Sequence, residues 1–114
     1  MVIQRGEIWW ATLPIPQGSE PGYRRPVVIV QSNAFNRSQI QTVLAAAITS
    51  NLRLAGAPGN IKLTRRQSGL PRESVINVLQ IITLDKAYLT ERVGKLPPRA
   101  LTTLEEALRL VLSL

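Results

Sequence analysis

Apolar and polar positions alternate along most of this chain, and glycine and proline punctuate them at fairly even intervals. Gly6 to Leu13 has Ile8, Trp10 and Thr12 on one side and Trp9, Ala11 and Leu13 on the other, the two-residue period of a strand. Pro26 to Gln31 carries the unbroken β-branched run Val27 to Val30, which predicts a strand buried on both faces. A third strand is predicted for Val43 to Thr49, read from Thr42. Ala45-Ala46-Ala47 favours helix by propensity, but the run is short and ends in the turn signal Thr49-Ser50-Asn51. Ile61-Lys62-Leu63 makes a short fourth strand, Ser74 to Leu84 a long fifth with Asn77 and Gln80 embedded in it, and Glu91 to Gly94 a short sixth.

The intervening segments read as turns. Pro14 to Gly22 is a loop of about ten residues, longer than the usual hairpin connection, and reads either as a functional loop or as a tolerated surface insertion. Ser32 to Ser38 is a turn-rich connection with Phe35 as its anchor. Arg53 to Asn60 is a loop, Arg65 to Gly69 a basic turn, and Thr83 to Lys86 a turn or single helical turn. Pro97-Pro98 opens one helix, because proline is tolerated in a first turn. Its apolar stripe is Leu101, Leu104, Leu108 and Val111, widened by Ala107 and Leu112, with Glu105 and Arg109 as an outward i,i+4 pair. Six short strands closed by one helix predict a small, partly open β-barrel, with an α+β sandwich of the same elements as the alternative.

Composition narrows the chemistry. At 114 residues, 45% of them apolar, the chain is expected to form one domain, 1–114. No apolar run approaches a membrane span, and Met1 to Glu7 lacks a signal-peptide core, so a cytoplasmic protein without membrane contact is expected. Fourteen cations against seven carboxylates give a net charge of +7, which favours a polyanionic partner, nucleic acid first. Eleven of those cations are arginine, the side chain suited to forked contact with phosphate. Histidine and cysteine are both absent, which excludes Ser-His-Asp and Cys-His catalysis and nearly every transition-metal site. The carboxylates are scattered, and the adjacent Glu105-Glu106 would point in different directions on a helix, so no metal and no cofactor is expected. Catalysis has to run on Arg, Lys, Thr, Ser or an isolated Glu.

The junction Tyr23-Arg24-Arg25-Pro26 concentrates that chemistry. Proline holds its predecessor extended, so Arg25 is expected to stand in a fixed place where a loop enters a core strand. Arg24 reads equally as a solvated loop charge.

Five stretches carry a family resemblance. Arg5-Gly6-Glu7-Ile8-Trp9-Trp10, Gly18-Ser19-Glu20-Pro21-Gly22, Arg25-Pro26-Val27-Val28-Ile29, Ala46-Ala47-Ile48-Thr49 and Gln80-Ile81-Ile82-Thr83-Leu84-Asp85-Lys86 together resemble the MazF/PemK (Kid-like) toxins of bacterial toxin–antitoxin pairs. The similarity runs in order over essentially the whole chain. It implies an SH3-like barrel that forms a homodimer, cleaves single-stranded RNA at short sequences without metal, and is inhibited by a cognate antitoxin. It also implies that Arg25 and Thr49 are the catalytic pair, that Ser19 and Glu20 lie on the loop beside the substrate path, and that Gln80 faces the groove. Some members have an acidic residue where this chain has Leu79, which removes any carboxylate contribution from that position. Arg65 and Arg66 are assigned to phosphate binding, and Arg24 to substrate binding.

Such a site suits a chain without histidine, because RNA supplies its own nucleophile, the 2′-hydroxyl. The protein then has to align it and stabilise the phosphorane, which a guanidinium and a threonine hydroxyl can do. Glu20 is a candidate base and reads equally as a solvated loop carboxylate. Two other functions fit the composition: a non-catalytic nucleic-acid-binding barrel, and a gyrase-poisoning toxin of the same fold. The latter acts through C-terminal aromatic residues, whereas this chain ends Leu110-Val111-Leu112-Ser113-Leu114.

Overall fold

The computed structural model describes residues 2–13 and 23–114. Within them, strands β1 (Glu7–Leu13), β2 (Tyr23–Ile29), β3 (Thr42–Thr49), β4 (Ile61–Leu63), β5 (Ser74–Asp85) and β6 (Leu89–Lys95) form one antiparallel sheet in the order β4-β5-β3-β2-β1-β6. Two one-turn helices, α1 (Asn33–Asn36) and α2 (Arg65–Ser68), lie in the connections, and α3 (Pro98–Leu112) closes the chain. Short 3-10 turns occupy Leu52–Gly56 and Lys86–Tyr88.

The sheet curls so that its edge strands approach each other. The α2 turn after β4 meets β6, and Gly69 is the residue that permits the contact. Its φ of +78° is a left-handed value, and a Cβ there would stand 3.2 Å from a Val93 methyl and 3.4 Å from the Val93 carbonyl oxygen. The result is the small, partly open barrel that the even spacing of short strands predicts.

Both faces of the sheet are buried, as the run Val27 to Val30 requires. On one side Ile8, Val28, Ala46, Ile48, Ile76 and Val78 pack under α3, which contributes Ala100, Leu104, Ala107 and Leu108. On the other side Trp9, Ala11, Leu13, Val27, Ile29, Val43, Ala45 and Leu84 form a second core with Ile3 and Leu89. The three alanines of β3 are at most 4% exposed, and their small side chains let both layers close on the central strand.

Several elements depart from the sequence-based expectation. The second strand starts at Tyr23, so Arg24 and Arg25 are strand residues rather than loop residues. Pro26 pairs with Trp10 inside it, where the ladder to β1 runs on but the ladder to β3 stops at Val27. A residue with no N–H to give is tolerated at such a place. Phe35 is 56% exposed and anchors nothing, whereas Asn36 is buried and its side-chain amide donates to the Gln31 carbonyl. On α3, Leu112 is half exposed and Ala100 takes its place in the buried stripe. Glu105 turns from Arg109 to form an ion pair with Arg5. The sixth strand is longer than predicted because Thr90 and the edge of β1 extend its pairing, with Thr90 Oγ1 donating to the Trp10 carbonyl. In β5 the ladder to β3 steps from Ala46–Ile81 to Ala47–Asn77, so Val78, Leu79 and Gln80 form a bulge.

Candidate functional site

Strand register directs Arg25 and Thr49 to one face of the sheet. Val27 pairs with Ala47, and the same antiparallel register continued by two residues sets Arg25 across from Thr49. A two-residue step preserves the face, so both side chains belong to the face that carries Val27, opposite α3. Thr49 is half-buried at the end of β3, and its Oγ1 accepts the Asn51 N–H at 3.1 Å. That bond orients the hydroxyl oxygen and leaves its hydrogen to be donated. Asn51 caps the following 3-10 turn by accepting the Arg53 N–H at 3.2 Å. Arg25 is exposed on β2.

A pocket of about 250 Å³ opens at this end of the barrel. Arg24, Arg25 and Pro26 from β2, Trp10 from β1, and Ile48 and Ser50 from the end of β3 line it, and Leu70, Pro71, Arg72 and Ser74 close it from the approach to β5. Three arginines from two parts of the chain therefore line it beside an apolar floor, and alternation puts Arg24, with Trp10, Pro26 and Ile48, on the face toward α3 and Arg25 on the other. Arg24 is held on two sides: its guanidinium carbon lies 4.1 Å from the centre of the Trp10 ring, and its Nη2 is 3.4 Å from Glu91 Oε1.

The remaining expected residues are distributed as follows. Gln80 lies in the β5 bulge, half-buried, and Asn77, paired directly with Ala47, is on the face shared by Ala47 and Thr49. Arg65 and Arg66 are exposed on α2, whose capping box joins Thr64 and Gln67, and they are not among the residues lining the pocket. Ser19 and Glu20 lie outside the described residues. Trp10 and Arg72 are the site residues that the sequence reading missed. A signal for Arg72 was present: Pro71-Arg72 sets an arginine beside a proline at the mouth of a core strand, as Arg25-Pro26 does. Among the described residues no cluster of three or more metal-ligating side chains occurs. No helix among them is long and apolar enough to cross a membrane.

Curled six-stranded sheet and C-terminal helix define a small β-barrel protein with an arginine-bordered pocket at one end. Residues 4–112 match the family of PemK-like, MazF-like toxins of type II toxin–antitoxin systems, and the chain belongs to that family. It is 50% identical over its full length, and that of the relative, to endoribonuclease MazF6 of Mycobacterium tuberculosis (strain ATCC 25618 / H37Rv). It is 35% identical to endoribonuclease EndoA of Bacillus subtilis (strain 168), covering all of this chain and 97% of the relative. Among solved structures, an endoribonuclease from a mycobacterial species in complex with its cognate antitoxin superposes with a TM-score of 0.81. That pair is 25% identical over 98% of this chain and 96% of the other.

Proposed function

We propose that this chain, acting as a single domain, is a sequence-specific endoribonuclease toxin that cleaves single-stranded messenger RNA in the cytoplasm without a metal ion, and that a cognate antitoxin inhibits it. The observation that carries the reading is the register that directs Arg25 and Thr49 to one face of the sheet, in a chain of this family. The names of its relatives, endoribonucleases at 50% and 35% identity, support the same activity. The chain's lack of histidine and cysteine supports metal-free chemistry.

The reaction then follows from the groups present. The 2′-oxygen attacks the adjacent phosphorus and gives up its proton, a phosphorane forms, and the bond from phosphorus to the 5′-oxygen breaks. The 5′-oxygen takes up a proton, leaving a 2′,3′-cyclic phosphate and a 5′-hydroxyl. Arg25 stabilises the extra charge on the phosphoryl oxygens through its planar fork and can supply a proton to the leaving oxygen. Thr49 donates its hydroxyl hydrogen to the same oxygens, an orientation favoured by the Asn51 N–H already bound to its lone pair. Gln80 and Arg24 contact the strand nearby, Arg65 and Arg66 hold phosphates further along, and Ser19 and Glu20 belong to the loop beside the substrate path.

The working unit is a homodimer. Its support is a groove beneath the end of α3, lined by Val30, Leu44, Ile81, Leu108, Leu112 and Leu114 with Arg5, Glu105 and Arg109. Leu44, Leu112 and Leu114 are 41%, 50% and 86% exposed, an apolar edge suited to a second copy of itself.

A single 2′-deoxy nucleotide placed 5′ to the cut tests the reading. Wild-type protein in excess EDTA should cleave the all-ribose strand to 5′-hydroxyl ends and leave the deoxy position intact while still binding it. Cleavage through the deoxy position at an unchanged rate would mean that water attacks, and a strict need for added Mg²⁺ would overturn the metal-free mechanism.

A further inference from the structure

We infer that Asn60 is a positioning residue for the reaction: its side-chain amide fastens the turn that orients Thr49 to the bulge of β5. The inference rests on the endoribonuclease reading, because it concerns how the threonine of that reading is held.

Thr49 is the last residue of β3, and its hydroxyl oxygen accepts the Asn51 N–H at 3.1 Å. The hydroxyl is therefore only as fixed as Asn51. Asn51 in turn belongs to the 3-10 turn that follows: its side chain accepts the Arg53 N–H at 3.2 Å, and its carbonyl accepts the Leu54 N–H at 3.1 Å. No residue of that turn, Leu52–Gly56, is buried. A turn with so little apolar anchorage opens easily unless polar bonds tie it to the sheet.

Asn60 supplies the tie. Its Nδ2 donates to the Leu54 carbonyl at 2.9 Å, and its Oδ1 accepts the Val78 N–H at 3.0 Å. A carbonyl on one side and an N–H on the other decide which end of the amide is nitrogen and which is oxygen. The sheet end of the tie is firm. Val78 is fully buried, and β4 pairs with β5 only from Ser74 to Ile76, so the Asn60 side chain carries the pairing one step past the strand. Gly59 makes the approach possible. Its φ is +85°, and a Cβ there would stand 3.1 Å from a Val78 methyl and 3.3 Å from a Val111 methyl. The bulge that begins at Val78 also contains Gln80, so one amide sets the Thr49 turn and the Gln80 segment in a common frame. Misplacing a reacting group by about 1 Å can cost about 10²-fold in rate, which is why such a tie matters to catalysis.

The test is a double-mutant cycle between Asn60 and Thr49. It is read on a 3′-dye-labelled single-stranded RNA that carries the wild-type cut sequence, found by mapping 5′-hydroxyl ends. Asn60→Asp keeps the acceptor for Val78 and sets a carboxylate oxygen against the Leu54 carbonyl, so it frees the turn and spares the bulge. Asn60→Ala releases both and adds no charge. Each should lower kcat about tenfold, less than the 10²–10³ typical of deleting a transition-state donor outright. KM of Asn60→Ala should stay within about twofold of wild type. In a Thr49→Ala background either change should cost less than about twofold further, because the hydroxyl it misplaces is gone. A general loss of stability would instead lower activity equally in both backgrounds. Amide hydrogen exchange at Asn51 should quicken in Asn60→Asp while Val78 stays protected. If Asn60→Ala does not fold, Asn60→Asp carries the cycle alone. An unchanged kcat in Asn60→Asp, an equal fall in both backgrounds, or unchanged exchange at Asn51 overturns the positioning role and leaves the enzyme assignment intact. An Asn60→Asp chain that does not fold makes the Leu54 bond structural and overturns the role as well. Failure of the wild-type protein to cut any RNA overturns the assignment and the role with it.

Discussion

Glu7→Gln probes a buried carboxylate that ties the first strand to the last, the one carboxylate buried among the described residues. Glu7 is 5% exposed, and its oxygens accept three bonds: Oε1 from the Gln4 N–H at 2.8 Å and from Trp9 Nε1 at 3.1 Å, Oε2 from Arg92 Nε at 2.6 Å. Burial pushes the carboxyl's pKa up, but the hydrogen bonds from Arg92, Gln4 and Trp9 and the Arg92 charge outweigh it and hold the group below its ordinary 4.5. Glutamine has nearly the same shape. Its carbonyl oxygen can keep Gln4 and Trp9, but its amide nitrogen then meets the Arg92 N–H donor against donor. A charge-assisted bond contributes about 1.5–3 kcal/mol. The Arg92 side chain is 49% exposed and can turn to water, so the loss falls at the low end, about 1.5–2 kcal/mol. For a domain of this size that lowers Tm by about 5–10 °C. Thermal melts followed by circular dichroism, at one fixed protein concentration, measure it. Because the folded-state pKa is depressed, the ionised group's contribution is complete above its unfolded value and is lost as pH falls through the folded value. The gap between wild type and variant should therefore be full at pH 7 and should close below about pH 4.5. Equal stability at pH 7, or a gap that persists unchanged at about pH 3, would refute the reasoning.

Two further outcomes are expected. Arg25→Ala and Thr49→Ala should each lower kcat by about 10²–10³, with affinity for a 2′-deoxy-blocked RNA nearly unchanged and Arg25→Lys intermediate. Single-turnover kinetics beside equilibrium binding separates the two, and a loss confined to affinity would make these residues binding groups only. Leu112→Asp combined with Leu114→Asp should convert a micromolar dimer to monomer in sedimentation. A monomeric wild type would refute the dimer, and a variant that stays dimeric would place the interface elsewhere.

Much of the barrel was legible because its signals are local. Alternation over Gly6 to Leu13, the β-branched run at Val27 and the apolar stripe from Leu101 to Val111 each depend on residues a few positions apart. Errors arose where a distant partner overrode the local preference. Arg24 and Arg25 were absorbed into β2 because β1 offers Thr12 and Ala11 as ladder partners. Phe35 looked like an anchor by hydrophobicity, but Asn36 satisfies the turn's backbone and takes the buried place. The helical pairing rule linked Glu105 to Arg109, yet Arg5, one hundred residues away, forms the ion pair.

By itself, then, the order of residues determined the strand-rich pattern, the basic charge and the exclusion of histidine and thiol chemistry, since each is written in residue type and short-range spacing, whereas the choice of Arg25 and Thr49 as a pair came from the family resemblance. Only the tertiary structure decided what stands beside them. It brought Trp10 and Glu91 from two separate strands against Arg24, and Arg72 from a third segment to the pocket that Arg24 lines. It also directed Arg25 and Thr49 to one face of the sheet through the register of Val27 with Ala47, which neither strand contains alone. A register is a property of paired strands, and a pocket wall is a property of a closed barrel, so both come into being only when the sheet has curled and buried its two faces.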